Sequence, residues 1–260
     1  MTTAETPDDG PILLRTDEDG IATLTLNRPG SGNSLSHALV AELSTALARI
    51  ADDRDIRVVV LAANGRHFCT GHDLKESVAT RTGSEKLASN LDCNAMMQAI
   101  VALPQPVIAK VQGTATASGC ELMASCDLAV AAQSARFATP GVNIGFWCYT
   151  PQVALSRAVS RKHALEMLLT GELYGSDEAL RMGLVNRVVP DGELDEAVSM
   201  LSVAIASKSA AAVSGTSVGS ASSRSARGSS PARTAARIHV LNSPSSDYRW
   251  YEYIYLYYRR

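Results

Sequence analysis

Paired cysteines are missing from this chain of 260 residues. Its five cysteines, at positions 69, 93, 120, 126 and 148, are odd in number, scattered and never spaced as CxxC. That excludes a disulfide framework and a four-cysteine zinc site, and it fits thiols kept reduced. A charge surplus is missing as well. The formal net charge is only −2, so no global imbalance draws nucleic acid or a membrane surface. No uninterrupted apolar run approaches the roughly 20 residues that cross a bilayer. The opening MTTAETPDDGP has neither the basic nor the apolar region of a signal peptide. These absences lead to the expectation of a soluble cytoplasmic protein with no nucleic-acid and no membrane partner. What is plentiful is core material: 46% hydrophobic residues, enough for one large domain or two small ones.

Residues 1–11 read as a flexible, acidic lead-in. ILLRTD, EDG and IATLTLN form two β-rich runs around a glycine turn, a hairpin signal. Asn33, Ser34 and Ser36 offer caps for a helix over His37–Ile50, whose apolar residues recur at helical spacing. Val58–Leu61 is wholly apolar, as in a strand buried on both faces. Gly71-His72-Asp73 then starts a turn or helix, Leu91–Leu103 is helical, and Val107–Val111 and Leu128–Ala131 are strands. Helical text follows at 153–159, 163–169, 176–182 and from Glu193. Strand–helix–strand alternation of this kind predicts an α/β protein with parallel strands and crossover helices.

From about Ser207 the composition changes. Residues 209–237 are mostly Ser, Ala, Gly and Arg, 197–246 hold no Asp or Glu, and 248–260 hold six of the eight tyrosines. Such text buries too little apolar surface to order itself. We take 12–200 as the core domain and 201–260 as an atypical, disordered tail. A change of reading frame after about residue 208 is one account of it. A basic nucleic-acid arm is the rival account, ranked below a merely solvated tail.

The central stretch is Gly113–Pro140, GTATASGCELMASCDLAVAAQSARFATP. Small residues lead out of a strand into a helix over about Cys120–Cys126. A helix start of this type presents free N–H groups and the positive end of the dipole, suited to an oxyanion or phosphate. Glu121 lies in the first turn. Read on its own, Ser118 caps the helix and Glu121 sits favourably near its start. His67, Cys69, His72 and Asp73 form a textual cluster of metal-ligating types, but their spacing fits no zinc pattern, so no metal is expected. Ser118-Gly119 lacks a G-x-S-x-G elbow. Asp127 reads as structural, near the end of the Glu121 helix.

Four pieces match a known pattern in order: LTLNRPGSGNSLS at 24–36, VVVLAANGRHFCTGHDLKE at 58–76, the run 104–145, and 154–198. On these the sequence resembles the enoyl-CoA hydratase/isomerase family, the crotonase superfamily. The resemblance implies the ClpP/crotonase fold: a spiral of parallel β turns with crossover helices. It implies a lyase or isomerase of fatty-acid metabolism acting on an acyl-CoA or enoyl-CoA thioester, with coenzyme A as part of the substrate and no separate cofactor. It also implies a homo-oligomer, a trimer or hexamer. The backbone N–H groups of His72 and Ser118 become the expected oxyanion hole, where loss of one donor costs about 2.7–4 kcal/mol. Glu121 becomes the base. Arg28, Cys69, Gly71, Asp73, Leu74 and Lys75 stand at the substrate and CoA positions, with Arg28 and Lys75 expected at phosphate oxygens.

One departure matters most. The hydratases of the family place a second carboxylate twenty residues after the first, and here that position is Gly141, in PGVN. A side branch of hydratase-domain proteins with a PGVN-type motif looks nearest. Asn143, Trp147, Cys148 and Tyr149 are expected at the acyl pocket, with Cys148 or Tyr149 as substitute acids. The competing expectation is an acyl-CoA-binding protein with little turnover.

Overall fold

The computed structural model describes residues 10–78, 83–209 and 212–213, and the side chains of 77–90 are left undescribed. The hairpin forms as read: β1 (Leu13–Glu18) pairs antiparallel with β2 (Ile21–Leu26) around Asp19-Gly20. Ser36, not Asn33, caps α1 (His37–Ala51), its Oγ accepting the Leu39 N–H at 3.2 Å. Asn33 instead ties loops together. It is fully buried, donates to the Asn64 and His67 carbonyls at 2.8 and 2.7 Å, and accepts the Arg28 N–H at 2.8 Å.

From β3 the chain repeats one move. It lays a strand in a large sheet, a short strand in a small sheet, and then returns through helix. The first turn is β3 (Val58–Ala63), β4 (His67–Cys69), α2 (Leu74–Val78) and α3 (Gly83–Ala102). The second is β5 (Val107–Val111), β6 (Thr114–Thr116) and α4 (Ser118–Ala124). The third opens with β7 (Leu128–Ala132) and β8 (Arg136–Ala138), then α5 (Pro151–Ala158) and α6 (Arg161–Thr170). After β9 (Tyr174–Gly175) and α7 (Ser176–Met182), β10 (Arg187–Val189) and α8 (Leu194–Ala206) finish it. The large sheet runs β1-β2-β3-β5-β7-β10 and the small one β4-β6-β8-β9. The pairs β3·β5, β5·β7, β4·β6 and β6·β8 are all parallel. This is the expected spiral of parallel β turns.

β3 reads VVVLAA because both of its faces are buried. Val59, Leu61 and Ala63 face the main core with α1 and α3, whereas Val58, Val60 and Ala62 face Leu194 and Val198 of α8. The expected domain end at residue 200 is therefore too early. α8 runs on to Ala206, and Leu201, Ile205 and Ala206 pack on that second face. The rest of the expected tail, from 214, and the lead-in up to residue 9 lie outside the described residues. No helix among the described residues is long and apolar enough to cross a membrane.

Candidate functional site

Two backbone turns meet at the start of α4. The first is Gly71-His72-Asp73, which follows β4. Leu35 donates its N–H to the Gly71 carbonyl at 2.8 Å and accepts the Asp73 N–H at 3.2 Å. A parallel bridge made this way turns the intervening His72 N–H to the opposite side. Gly71 has φ +100°, and a β-carbon there would lie 3.0 Å from Ala117 Cβ and 3.3 Å from the Ser118 nitrogen. Only glycine brings this turn so near the helix start. The second turn joins β6 to α4 through Ala117, whose φ of 51° and ψ of −124° are unfavourable for a residue with a β-carbon. Its N–H bonds to the Ala138 carbonyl at 2.9 Å, which holds the strained residue in place. Gly119 lets the first helical turn press on β4, since a β-carbon there would fall 2.0 Å from the Cys69 carbonyl oxygen.

Ser118 is the first residue of α4 and not its cap. Its N–H is one of the donors a helix start leaves over. Neither it nor the His72 N–H has a backbone acceptor among the described residues. The side chains of these two residues also meet, with Ser118 Oγ 2.8 Å from His72 Nδ1. The His72 side chain is thus held against the start of α4. Burial, together with the nearby His37, lowers its pKa and keeps the imidazole neutral.

Glu121 follows within the same turn of helix and is 4% exposed. Burial pushes its pKa up to about 7, against the hydrogen bond that Thr150 Oγ1 donates to its Oε2 at 2.7 Å. A buried carboxyl poised near neutrality is suited to taking and returning a proton. Thr150, at the threshold of α5, escaped the sequence reading. Only contact between α4 and α5 brings it to Glu121 across 29 positions.

At Gly141 the backbone leaves no room for a side chain. An added β-carbon would sit 2.6 Å from the Phe146 carbonyl oxygen and 2.9 Å from Cys148 Sγ. Cys148 is buried, and burial raises its thiol pKa. The other neighbours expected at an acyl pocket have partners of their own. Asn143 donates to the Gly171 carbonyl at 3.1 Å, Trp147 Nε1 to Gln152 at 3.0 Å, and Tyr149 packs edge-to-face on Phe146. A cavity of about 410 Å³ opens between α1 and α3. Its walls include Ser36, His37, Val40, Asp92 and Cys93, with His72 among them.

The expected CoA residues separate into two kinds. Arg28 donates to the Ser34 carbonyl at 2.7 Å and to Asp73 Oδ2 at 3.1 Å, so its guanidinium holds the loop where a free phosphate-binding group was expected. Burial pushes the Asp73 carboxyl up, but the bonds from Arg28, Ser34 and the Lys75 N–H outweigh it and keep the pKa below the usual range. Cys69 is fully buried, its thiol pKa pushed up to about 12 by desolvation against a hydrogen bond with the Gly71 backbone. Leu74 and Lys75 are exposed at the start of α2. Asp127 is structural, accepting the Val107 N–H at 2.8 Å and tying the end of α4 to β5. Among the described residues no three His, Cys, Asp or Glu side chains are grouped to hold a metal ion.

The family profile described as enoyl-CoA hydratase/isomerase matches residues 16–256. The chain belongs to the enoyl-CoA hydratase/isomerase family. Within it, the rat enoyl-CoA hydratase domain-containing protein 3, mitochondrial, is 43% identical over 208 residues, 80% of this chain and 69% of that one. The human protein of the same name is 45% identical over 196 residues, covering 75% of this chain and 65% of that one. This chain thus spans about two thirds of the length of these curated relatives. A crystal structure of an enoyl-CoA hydratase from Mycobacterium smegmatis superposes with a TM-score of 0.77 at 42% identity, over 91% of this chain and 99% of that one. The crotonase-type fold expected from the motifs is the fold of these family members. The mitochondrial name belongs to the relatives, and the cytoplasmic expectation draws no support from them.

Proposed function

We propose that this protein acts on an acyl-CoA thioester, most simply as an enoyl-CoA hydratase. In this reading the thioester oxygen lies between the N–H groups of His72 and Ser118, whose acceptors are open. Negative charge developing on that oxygen meets two fixed donors and the positive end of α4, so no dipole has to reorganise during the reaction. Glu121 takes the proton from water, or from the carbon next to the carbonyl in an isomerisation. Thr150 orients its carboxylate. The coenzyme A portion extends past Gly71, Asp73, Leu74 and Lys75, and no cofactor beyond the substrate's own coenzyme A takes part. The observation that carries the reading is Glu121, buried in the first turn of the helix that begins at Ser118, with its pKa raised to about 7.

The test is hydration of crotonyl-CoA, followed by loss of enoyl-thioester absorbance, in wild type and Glu121→Gln. Turnover in the wild type that falls about 10²–10⁴-fold in the variant supports Glu121 as base.

A second reading, an acyl-CoA-binding protein with little turnover, is favoured by Gly141 alone. The Phe146 carbonyl and Cys148 thiol occupy the space a carboxylate there would need. Acyl-CoA binding without turnover in either form selects it. Self-association into a trimer or hexamer belongs to the same proposal. Ile144 and Phe146, 75% and 60% exposed, are apolar surface that a second copy would cover. Sedimentation at low protein concentration tests it, and a strict monomer rejects it.

A further inference from the structure

The two open N–H groups stand on turns that are anchored on opposite sides. The His72 turn is bridged to Leu35, which leads into α1, whereas the Ser118 turn hangs from β8 through the Ala117 N–H and the Ala138 carbonyl. Between the turns, Gly71 lies against Ala117 and the Ser118 nitrogen, and this contact limits how near they come. It does not limit how far they part. The parallel ladder of β4 and β6 ends at the Cys69–Ala115 pair. Past that point side chains take over. Thr116 Oγ1 donates to the Thr70 carbonyl at 3.2 Å, and Ser118 Oγ and His72 Nδ1 lie 2.8 Å apart. Both bonds join residues 46 positions apart, the same offset as the last ladder pair. His72 Nε2 has no partner among the described residues, so the bond to Ser118 is the one that orients the ring.

We propose that the Ser118–His72 side-chain bond is a clamp that fixes the distance between the two N–H donors, which makes both side chains positioning residues. The proposal rests on the oxyanion reading of the same two N–H groups. A main-chain bond between the turns would hold them equally well, but it would consume an N–H that the thioester oxygen needs. A side-chain bond carries the pairing onward and leaves both donors open. The spacing matters because a donor stabilises an oxyanion only when it already stands about 2.7–3.1 Å from it. A misplacement of about 1 Å costs roughly 10²-fold in rate. Contact at Gly71 sets the lower limit of the separation, and the clamp sets the upper one. The competing account is that the bond only satisfies two polar groups held away from water. It predicts a loss of stability with no change at the substrate carbonyl.

The probe is butyryl-CoA, which has no double bond to hydrate, isotope-labelled at the thioester carbonyl. Its carbonyl stretch, free and bound to the full chain, is read by infrared difference spectroscopy, alongside kcat and KM for crotonyl-CoA. Two fixed donors are expected to move the stretch of the bound ester to lower wavenumber, and this shift is read without turnover. Ser118→Ala and His72→Leu are each expected to shrink the shift and to lower kcat about 10–100-fold with KM little changed. The double variant is expected to be no worse than either single one, because both break the same bond. His72→Asn, whose amide reaches the position of Nδ1, is expected to regain most of the shift. A full shift in Ser118→Ala overturns the proposal and leaves the oxyanion reading standing. So does a double variant whose losses multiply. If the wild type binds the ester with no shift, or does not bind it, the oxyanion reading falls and the proposal with it.

Discussion

Thr150 Oγ1 donates a 2.7 Å hydrogen bond to Oε2 of Glu121, from the threshold of α5 to the first turn of α4. This bond stabilises the ionised carboxylate, and it opposes the desolvation that raises the Glu121 pKa to about 7. Replacing Thr150 by Val removes the donor and keeps the shape. The expected outcome is a further rise of about 1 pKa unit, because a hydrogen bond to a charged group is worth about 1.5 kcal/mol. The acidic limb of the kcat/KM–pH profile then moves to higher pH by that amount, with the alkaline plateau preserved. An unmoved limb means that another group controls it.

Glu121→Gln separates function from stability. A folded-state pKa raised from 4.5 to about 7 means the native state holds this proton more tightly than the unfolded chain does. The stabilisation linked to that proton is complete below about pH 4.5 and is lost as pH rises through 7. Above that, ionisation of the buried group weakens the fold by about 3 kcal/mol. Glutamine carries no charge to bury. The variant is expected to lose turnover and yet resist urea better than wild type at pH 8, with the difference shrinking towards pH 5. Chemical denaturation at both pH values measures this.

Gly141 is a packing position. With the Phe146 oxygen 2.6 Å and the Cys148 sulfur 2.9 Å from a β-carbon, Gly141→Ala is expected to destabilise by about 1–3 kcal/mol through overpacking. Gly141→Glu is expected to do at least as much harm and not to install a working second carboxylate. Thermal unfolding and crotonyl-CoA turnover of both variants test it, and a stable, faster Gly141→Glu enzyme rejects it.

The Arg28–Asp73 pair holds the turn that presents the His72 N–H. Both side chains are largely buried, at 16% and 10% exposure. Arg28→Met leaves the carboxylate without its cation and is expected to destabilise by about 3 kcal/mol. Because the Asp73 pKa lies below its ordinary value, wild type keeps this contribution at neutral pH and loses it as pH falls below about 4. Urea denaturation at pH 7 and pH 3 checks it: the gap between wild type and variant should narrow at the lower pH.

Periodicity carried the long elements. α1, α7 and the strand within β3 stand where apolar spacing put them, because each buries a face wide enough to dictate composition over several residues. The small sheet did not announce itself. β4, β6 and β8 have three residues each, in Gly-, Ser- and Thr-rich text. Their pairing is set by partners some 45 and 22 positions apart. Motif resemblance singled out His72, Ser118 and Glu121 as candidates, since a strand–turn–helix junction is a local event written in consecutive residues.

What those residues do to one another belongs to the tertiary structure. Glu121 is a carboxylate in the text. Only burial among α4 and α5 raises its pKa and supplies Thr150. Gly141 is a missing acid in the text, and only the return of the chain at Phe146 and Cys148 makes it a position with no space. Arg28 is a free cation in the text until Asp73 arrives from 45 residues away. The sequence by itself determined the family, the spiral and the chemical types at the site, because these follow from local pattern. Protonation, room and pairing depend on which distant atoms share a desolvated volume, and that was decided only when the chain closed on itself.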